Sequence, residues 1–214
     1  MTPKNFLAVA LLIFPLCTCR SQNLDSLRDM LKSTTGNERI DLLYAISSHL
    51  VENDAEFALT LAREAMMLSS QSCDELRITR TGVVAGIAYR RLGLLDSAIQ
   101  VYERILPIAR ANNYANEILS ILNGYALAHT FRADYDKALN YFFASLSNES
   151  VYNDSLTKSV TLHNTGLVYY KLKQYEKALR FFQTSHLYKE AISESHDLDV
   201  LTLNIGLCYI YLND

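Results

Sequence analysis

Residues 162–182 read LHNTGLVYYKLKQYEKALRFF, with Gly166, Tyr169, Tyr175, Ala178 and Phe182 in that order. A small residue, an aromatic three later, a polar turn, then Ala and an aromatic four apart is the pattern of two helices that approach closely. The pattern recurs. Residues 124–143, GYALAHTFRADYDKALNYFF, place Ala126, Tyr135, Ala138 and Phe142 where Gly166, Tyr175, Ala178 and Phe182 stand. Residues 86–103, GIAYRRLGLLDSAIQVYE, do the same with Gly86, Tyr89, Leu95, Ala98 and Tyr102. The offsets are 166 − 126 = 40 and 126 − 86 = 40. Forward, NIGLCYIYLND repeats Gly206 and Tyr209; backward, Ala58 stands 40 before Ala98, with Ala62 in the aromatic slot and Ser47 and Leu50 in the small and aromatic slots of a tighter first unit.

A fixed period with helical patterning marks a solenoid of helix hairpins. Ser47, Gly86, Ala126, Gly166 and Gly206 let the second helix approach, and Ala58, Ala98, Ala138 and Ala178 answer from it. The aromatics Tyr89, Tyr102, Phe142, Tyr169 and Phe182 are expected to fill the gap to the adjacent hairpin. With 7 Gly and 3 Pro, of which Pro107 alone lies in the body, the chain reads as all-α. Helices are expected at about 23 to 33, 38 to 52, 55 to 70, 74 to 92, 95 to 112, 114 to 132, 135 to 147, 155 to 172, 175 to 191 and 197 to 212.

The segments YEKALRFF and YDKALNYF resemble the second-helix signature of the tetratricopeptide repeat (TPR). The period is longer than that family's usual ~34 residues, no Trp is present, and His129 stands for an aromatic. The resemblance implies a right-handed superhelical solenoid of antiparallel hairpins over 38–214, after an N-terminal helix in 22–37. The last unit is incomplete, and a fragment of a longer protein is expected.

The N-terminus differs from the rest. MTPKNFLAVALLIFPLCTCRSQ carries one Lys and an apolar run from Phe6 to Leu16, too short to span a bilayer and suited to a signal-peptide core in 1–21. Cleavage after Cys19 or Ser21 and lipidation at Cys17 or Cys19 both remain open. The expected location is exported, in the periplasm or cell envelope. Cys73 and Cys208, the two cysteines beyond the leader, are expected as small buried apolar residues. A formal charge of −3, from 20 basic and 23 acidic residues without runs, offers no footprint for direct nucleic-acid binding.

Catalytic and cofactor motifs are missing: no phosphate-cradling Gly loop, HExxH or CxxC occurs. His129 and His163 on successive first helices suggest a metal site less readily than they suggest groove or core histidines. Glu190, Glu194, Asp197 and Asp199 read as solvated acids around a turn. The Asp-Ser-apolar triplets at Asp25, Asp96 and Asp154 resemble a bacterial O-glycosylation acceptor, although helix capping accounts for them as well; Asn148 and Asn153 head sequons. No cofactor, metal or enzymatic role is expected.

The resemblance carries the concave face onto Arg80, Val83, Ile87 and Arg90, then Ser120, Asn123, Leu127 and Thr130, then Val160, His163, Leu167 and Tyr170, and finally Leu203 and Leu207. One end is basic and the other apolar, which suits a protein or peptide partner. Loss of Leu167 and Tyr170 is expected to weaken partner binding without unfolding the chain. Val83, Val160 and Val200 stand where a two-carboxylate clamp would need cations. The order of leader, short helix, tightened hairpin and 40-residue repeats resembles the periplasmic TPR sensor region of Bacteroidetes-type signalling regulators. That implies an input module for signal transduction, anchored by lipid or by a downstream helix. The alternative is a standalone secreted or lipid-anchored scaffold that assembles envelope proteins.

Overall fold

The computed structural model describes residues 30–31, 33–148, 154–192 and 198–213. The leader, most of the helix expected at about 23 to 33, and Asn153, Glu194 and Asp197 lie outside the described residues. Within them run nine helices and no strand: α1 (Gly36–Leu50), α2 (Ala55–Gln71), α3 (Glu75–Arg91), α4 (Leu95–Ala111), α5 (Ala115–Phe131), α6 (Tyr135–Leu146), α7 (Ser155–Lys171), α8 (Tyr175–Ala191) and α9 (Leu198–Asn213). The fold is an all-α solenoid of antiparallel hairpins, α1–α2, α3–α4, α5–α6 and α7–α8, with α9 stacked on α8.

The reversals obey a backbone rule that the side chains conceal. Cys73, Gly93, Asn113, Ala133 and Lys173 all have left-handed φ, between 52° and 75°. Four of the five are spaced at steps of 20, half the repeat. In each case the next N–H reaches back five residues: Asp74 to Ser69 at 3.3 Å, Leu94 to Tyr89 at 2.9 Å, Tyr114 to Ala109 at 3.0 Å, Asp134 to His129 at 2.9 Å and Gln174 to Tyr169 at 2.9 Å. This is the Schellman closure, which satisfies helix-end carbonyls and turns the chain sharply. Cys73 is therefore exposed, against the expectation of burial, because the closure puts it at the turn's apex. Cys208 is buried. The first hairpin turn contains no left-handed residue; there Asn53 donates to the Leu50 carbonyl at 2.9 Å.

Three helices begin on a capping aspartate. Asp54, Asp74 and Asp154 accept from the backbone N–H of Phe57, Arg77 and Thr157 respectively. Each satisfies a donor that the first turn would leave open and places negative charge at the positive end of the helix dipole. Capping is thus the role of the Asp154 triplet, while Asp96 pairs with Arg132 at 2.7 Å.

The core is a chain of five clusters that follow one another along the stack, several of them drawing on three successive helices. Ala58, Ala98, Ala126, Ala138, Ala178, Tyr102, Phe142 and Phe182 are fully buried. A Cβ on Gly166 would come within 2.6 Å of the Phe182 ring, so Gly166 receives the aromatic of its own hairpin. Tyr102 bridges, meeting Gly86 of its own hairpin and Gly124 of the next. Tyr89 is half-buried between two clusters. Tyr169 differs from the expected gap-filler: it is half-buried and stacks on Phe181 of its own hairpin, with centroids 5.3 Å apart. Gly206 is exposed, with nothing within 4 Å of a Cβ built there, because no described helix lies over it.

Buried polar contacts also hold a hairpin together. Ser159 and Ser185 exchange hydrogen bonds inside the α7–α8 hairpin, Ser185 donating to the Ser159 carbonyl at 2.8 Å and Ser159 to that of Ser185 at 3.3 Å. Ser145, 40 residues before Ser185, is equally buried and its hydroxyl finds no partner among the described residues. The residue 40 before Ser159 is Leu119, which offers no hydroxyl.

Candidate binding groove

The first helices α1, α3, α5, α7 and α9 lie side by side, tied by polar pairs about one repeat apart. Arg77 on α3 grips Asp41 on α1 with two bonds of 2.8 Å. This bidentate pair, together with Asp74, holds the Arg77 guanidinium well above its usual value despite partial burial. Arg80 on α3 donates to Glu117 on α5 at 2.8 Å. Thr161 on α7 donates to the Asn123 side chain on α5 at 3.1 Å, and Asn204 on α9 meets His163 Nε2 at 3.0 Å.

These ties change the expected groove. Arg80, Asn123 and His163 spend polar capacity on neighbouring repeats. Val83, Ile87, Leu127 and Leu167 are half-buried and pack against core clusters. Tyr170 is also half-buried, set edge-on to Tyr175 and Tyr211 at 5.5 and 5.9 Å. Leu167 and Tyr170 are therefore partly core. Truncating them would cost stability as well as contact, so they are poor probes of binding alone.

Ser120 and Thr130 turn their hydroxyls back to the carbonyls of Asn116 and Ala126. Val160 is 42% exposed and Leu203 61%, while Leu207 is half-buried. Near Leu203, Val200, Tyr209, Ile210 and Tyr211 are also exposed, so the apolar end is broad.

At the basic end, Glu117 neutralises Arg80, which leaves Arg90 as the groove arginine without an acidic partner among the described residues. Sequence reasoning missed Glu117 because it stands 37 residues from Arg80, not the 40 of the period. Arg90 lies 5.8 Å above the exposed Phe131 ring. Burial pushes its guanidinium down from the usual value, with only the Tyr102 phenol opposing.

His129 is buried in a stack with Tyr125 and Tyr141, at centroid distances of 6.4 and 5.7 Å, its Nδ1 3.3 Å from Asp134. Among the described residues no cluster of three His, Cys, Asp or Glu could hold a metal. No described helix is long and apolar enough to cross a membrane. A separate depression of about 540 Å³ lies between the second helices α2 and α4, away from this face.

The tetratricopeptide repeat family model matches residues 117–186. No curated protein sequence matches the chain. Among solved structures, BtubC (BKLC) from P. vanneervenii is 17% identical with a TM-score of 0.72, over 99% of this chain and 84% of that one. NprR in complex with its cognate peptide NprX is 19% identical with a TM-score of 0.73, over 98% of this chain and 62% of that one. The Rap conjugation gene regulator of the plasmid pLS20, in complex with the Phr* peptide, is 20% identical with a TM-score of 0.68, over 81% of this chain and 47% of that one. The chain thus spans less than two thirds of either of these two proteins. The family match covers most of α5 to α8, so residues 117–186 carry the tetratricopeptide repeat, and the same hairpin architecture runs on to either side of it.

Proposed function

We propose that this chain is a non-catalytic module that binds a protein or peptide along the face of its first helices. The observation that carries the reading is the face of first helices that ends in exposed apolar side chains, Val160 on α7 and Leu203 on α9, with the half-buried Arg90 on α3 towards its other end. Two similar solenoids are described with bound peptides, NprX on NprR and Phr* on the pLS20 Rap regulator. An extended ligand on such a face gains contacts from several repeats at once.

The finer reading is the exported input region of a bacterial signal-transduction regulator. It is supported by the apolar run from Phe6 to Leu16 and by the resemblance of the repeat order to periplasmic sensor regions. The intact mass of the native protein, taken from membrane and soluble fractions, tests it. A membrane species far above 24.2 kDa, carrying a further effector, fits the sensor reading. A species slightly below that mass is the result for the standalone scaffold, with an acyl increment at Cys17 or Cys19 if it is lipid-anchored. Retention of the leader in a cytoplasmic species would contradict both.

A further inference from the structure

The depression between α2 and α4 coincides with a break in the repeat. In the α7–α8 hairpin the ring of Tyr169 is covered from the second helix, by Phe181 with centroids 5.3 Å apart and by Lys177 with its Nζ 5.3 Å from the centroid. One repeat earlier, His129 and Tyr141 stack at 5.7 Å. One repeat earlier again, the positions of Tyr169, Phe181 and Lys177 are held by Tyr89, Val101 and Ser97. Val101 carries no ring and Ser97 is too short to reach over one, so among the described residues neither a ring nor a cation covers Tyr89. These three residues instead line an open volume of about 540 Å³. That is within the range of small-molecule sites, roughly 300–1,000 Å³.

The walls are cationic. Arg63 from α2 and Arg104 from α4 both line the depression, both are exposed, and neither is paired with a carboxylate among the described residues. No Asp or Glu lines it, and Glu64, beside Arg63 in the chain, is held by Arg39. Met66 and Met67 complete the α2 wall, Met67 being 55% exposed. A thioether adapts to the edge of a ring, and a guanidinium presents parallel donors that match a carboxylate. A ring face, adaptable apolar walls and two cations open to water suit a flat anion.

We propose that this depression binds a free aromatic carboxylate of small-molecule size. Its ring stacks on Tyr89 in the place that Tyr141 and Phe181 fill in the later repeats, and Arg63 and Arg104 hold its carboxylate. The following slots in the same row are occupied by those two rings, so the site is one repeat long and offers no track for an extended chain. It lies between second helices and is independent of the groove reading; either can fail without the other.

The test uses the full 214-residue chain with 13C-labelled methionine methyls. The Met66 and Met67 signals are assigned by their loss in Met66→Leu and Met67→Leu, and Met30, packed against the first core cluster, is the internal reference. Three probes are titrated: 2-naphthoate, which has ring and charge; 2-naphthamide, which has the ring alone; and cyclohexanecarboxylate, which has the charge without a flat ring. Saturable shifts of Met66 and Met67 with 2-naphthoate are expected, with Met30 unmoved and the other two probes at least about tenfold weaker. Arg63→Gln combined with Arg104→Gln should weaken 2-naphthoate by about tenfold or more. Val101→Phe, which supplies the ring of the later repeats, should abolish the shifts. Both arginines are exposed, so their double variant tests the site even if Val101→Phe does not fold. Silent Met66 and Met67 signals at millimolar 2-naphthoate overturn the proposal, as does equal affinity for 2-naphthamide or undiminished binding to folded Val101→Phe. Tighter binding of N-acetyl-Glu-Phe-Glu amide than of 2-naphthoate would give the site to an acidic peptide and overturn the small-molecule assignment.

Discussion

Tyr102 stands between two glycines of successive hairpins: a Cβ built on Gly86 or on Gly124 would lie 2.4 Å from its ring. One aromatic thus sets the spacing of α3, α4 and α5. Gly86→Ala and Gly124→Ala should each destabilise the chain by about 1–3 kcal/mol through overpacking. Urea unfolding measures this, and Tyr102→Leu should recover part of the loss in the Gly124→Ala background. Gly206→Ala is the contrast: with open space around it, the substitution should add about 1 kcal/mol of helix propensity.

The left-handed turn residues predict gains. Ala133 and Lys173 adopt φ of 61° and 58°, where a Cβ is unfavourable. Ala133→Gly and Lys173→Gly should each raise stability by about 1 kcal/mol, and Gly93→Ala should lower it similarly. Melting temperatures of the three variants decide whether the closure is as uniform as the hydrogen bonds imply.

The caps predict a pH dependence. Bonding to the Arg77 N–H lowers the Asp74 carboxyl below its usual 3.8, and the hydroxyl and N–H of Thr157 lower Asp154 in the same way. A carboxyl lowered by folding binds fewer protons in the native than in the unfolded chain. Its contribution is complete above 3.8 and disappears as the pH falls through the still lower folded value. Asp74→Ala and Asp154→Ala should each cost about 1 kcal/mol at pH 7. Denaturant titrations should show that deficit shrinking towards zero in strong acid.

The two serines on the second helices should part company. Ser185→Ala removes a reciprocal buried pair and should cost about 1–2 kcal/mol by leaving Ser159 short of a partner. Ser145→Ala removes a hydroxyl that has no partner among the described residues and should be neutral or stabilising. Equal losses from both substitutions would contradict this assignment.

The repeat was legible because packing constrains composition. Only small residues fit where Gly166 meets Phe182, so the 40-residue period survives in the letters and the helix ends follow from it. The turns were not legible in the same way. Cys73, Gly93, Asn113, Ala133 and Lys173 share a backbone angle and no side-chain chemistry, so Cys73 read as a buried cysteine. Gly124 escaped notice because it lies two residues before the small slot at Ala126 and serves the preceding hairpin's Tyr102. On the groove face, the period named the positions but not their partners. Arg80 looked like a free cation until Glu117 stood beside it, and Leu167 looked accessible until Phe182 was packed near it.

The central claim is that a partner lies along the first helices. A photo-crosslinking residue placed singly at Val160, Leu203 and Phe131 tests it most directly, with Leu187 on second helix α8, 65% exposed, as the reference position. In cells making the full-length protein, the three groove positions should each crosslink to one and the same partner, at adjoining sites along its sequence, and Leu187 should not. Crosslinks that form at Leu187 while the groove positions stay silent would contradict the account.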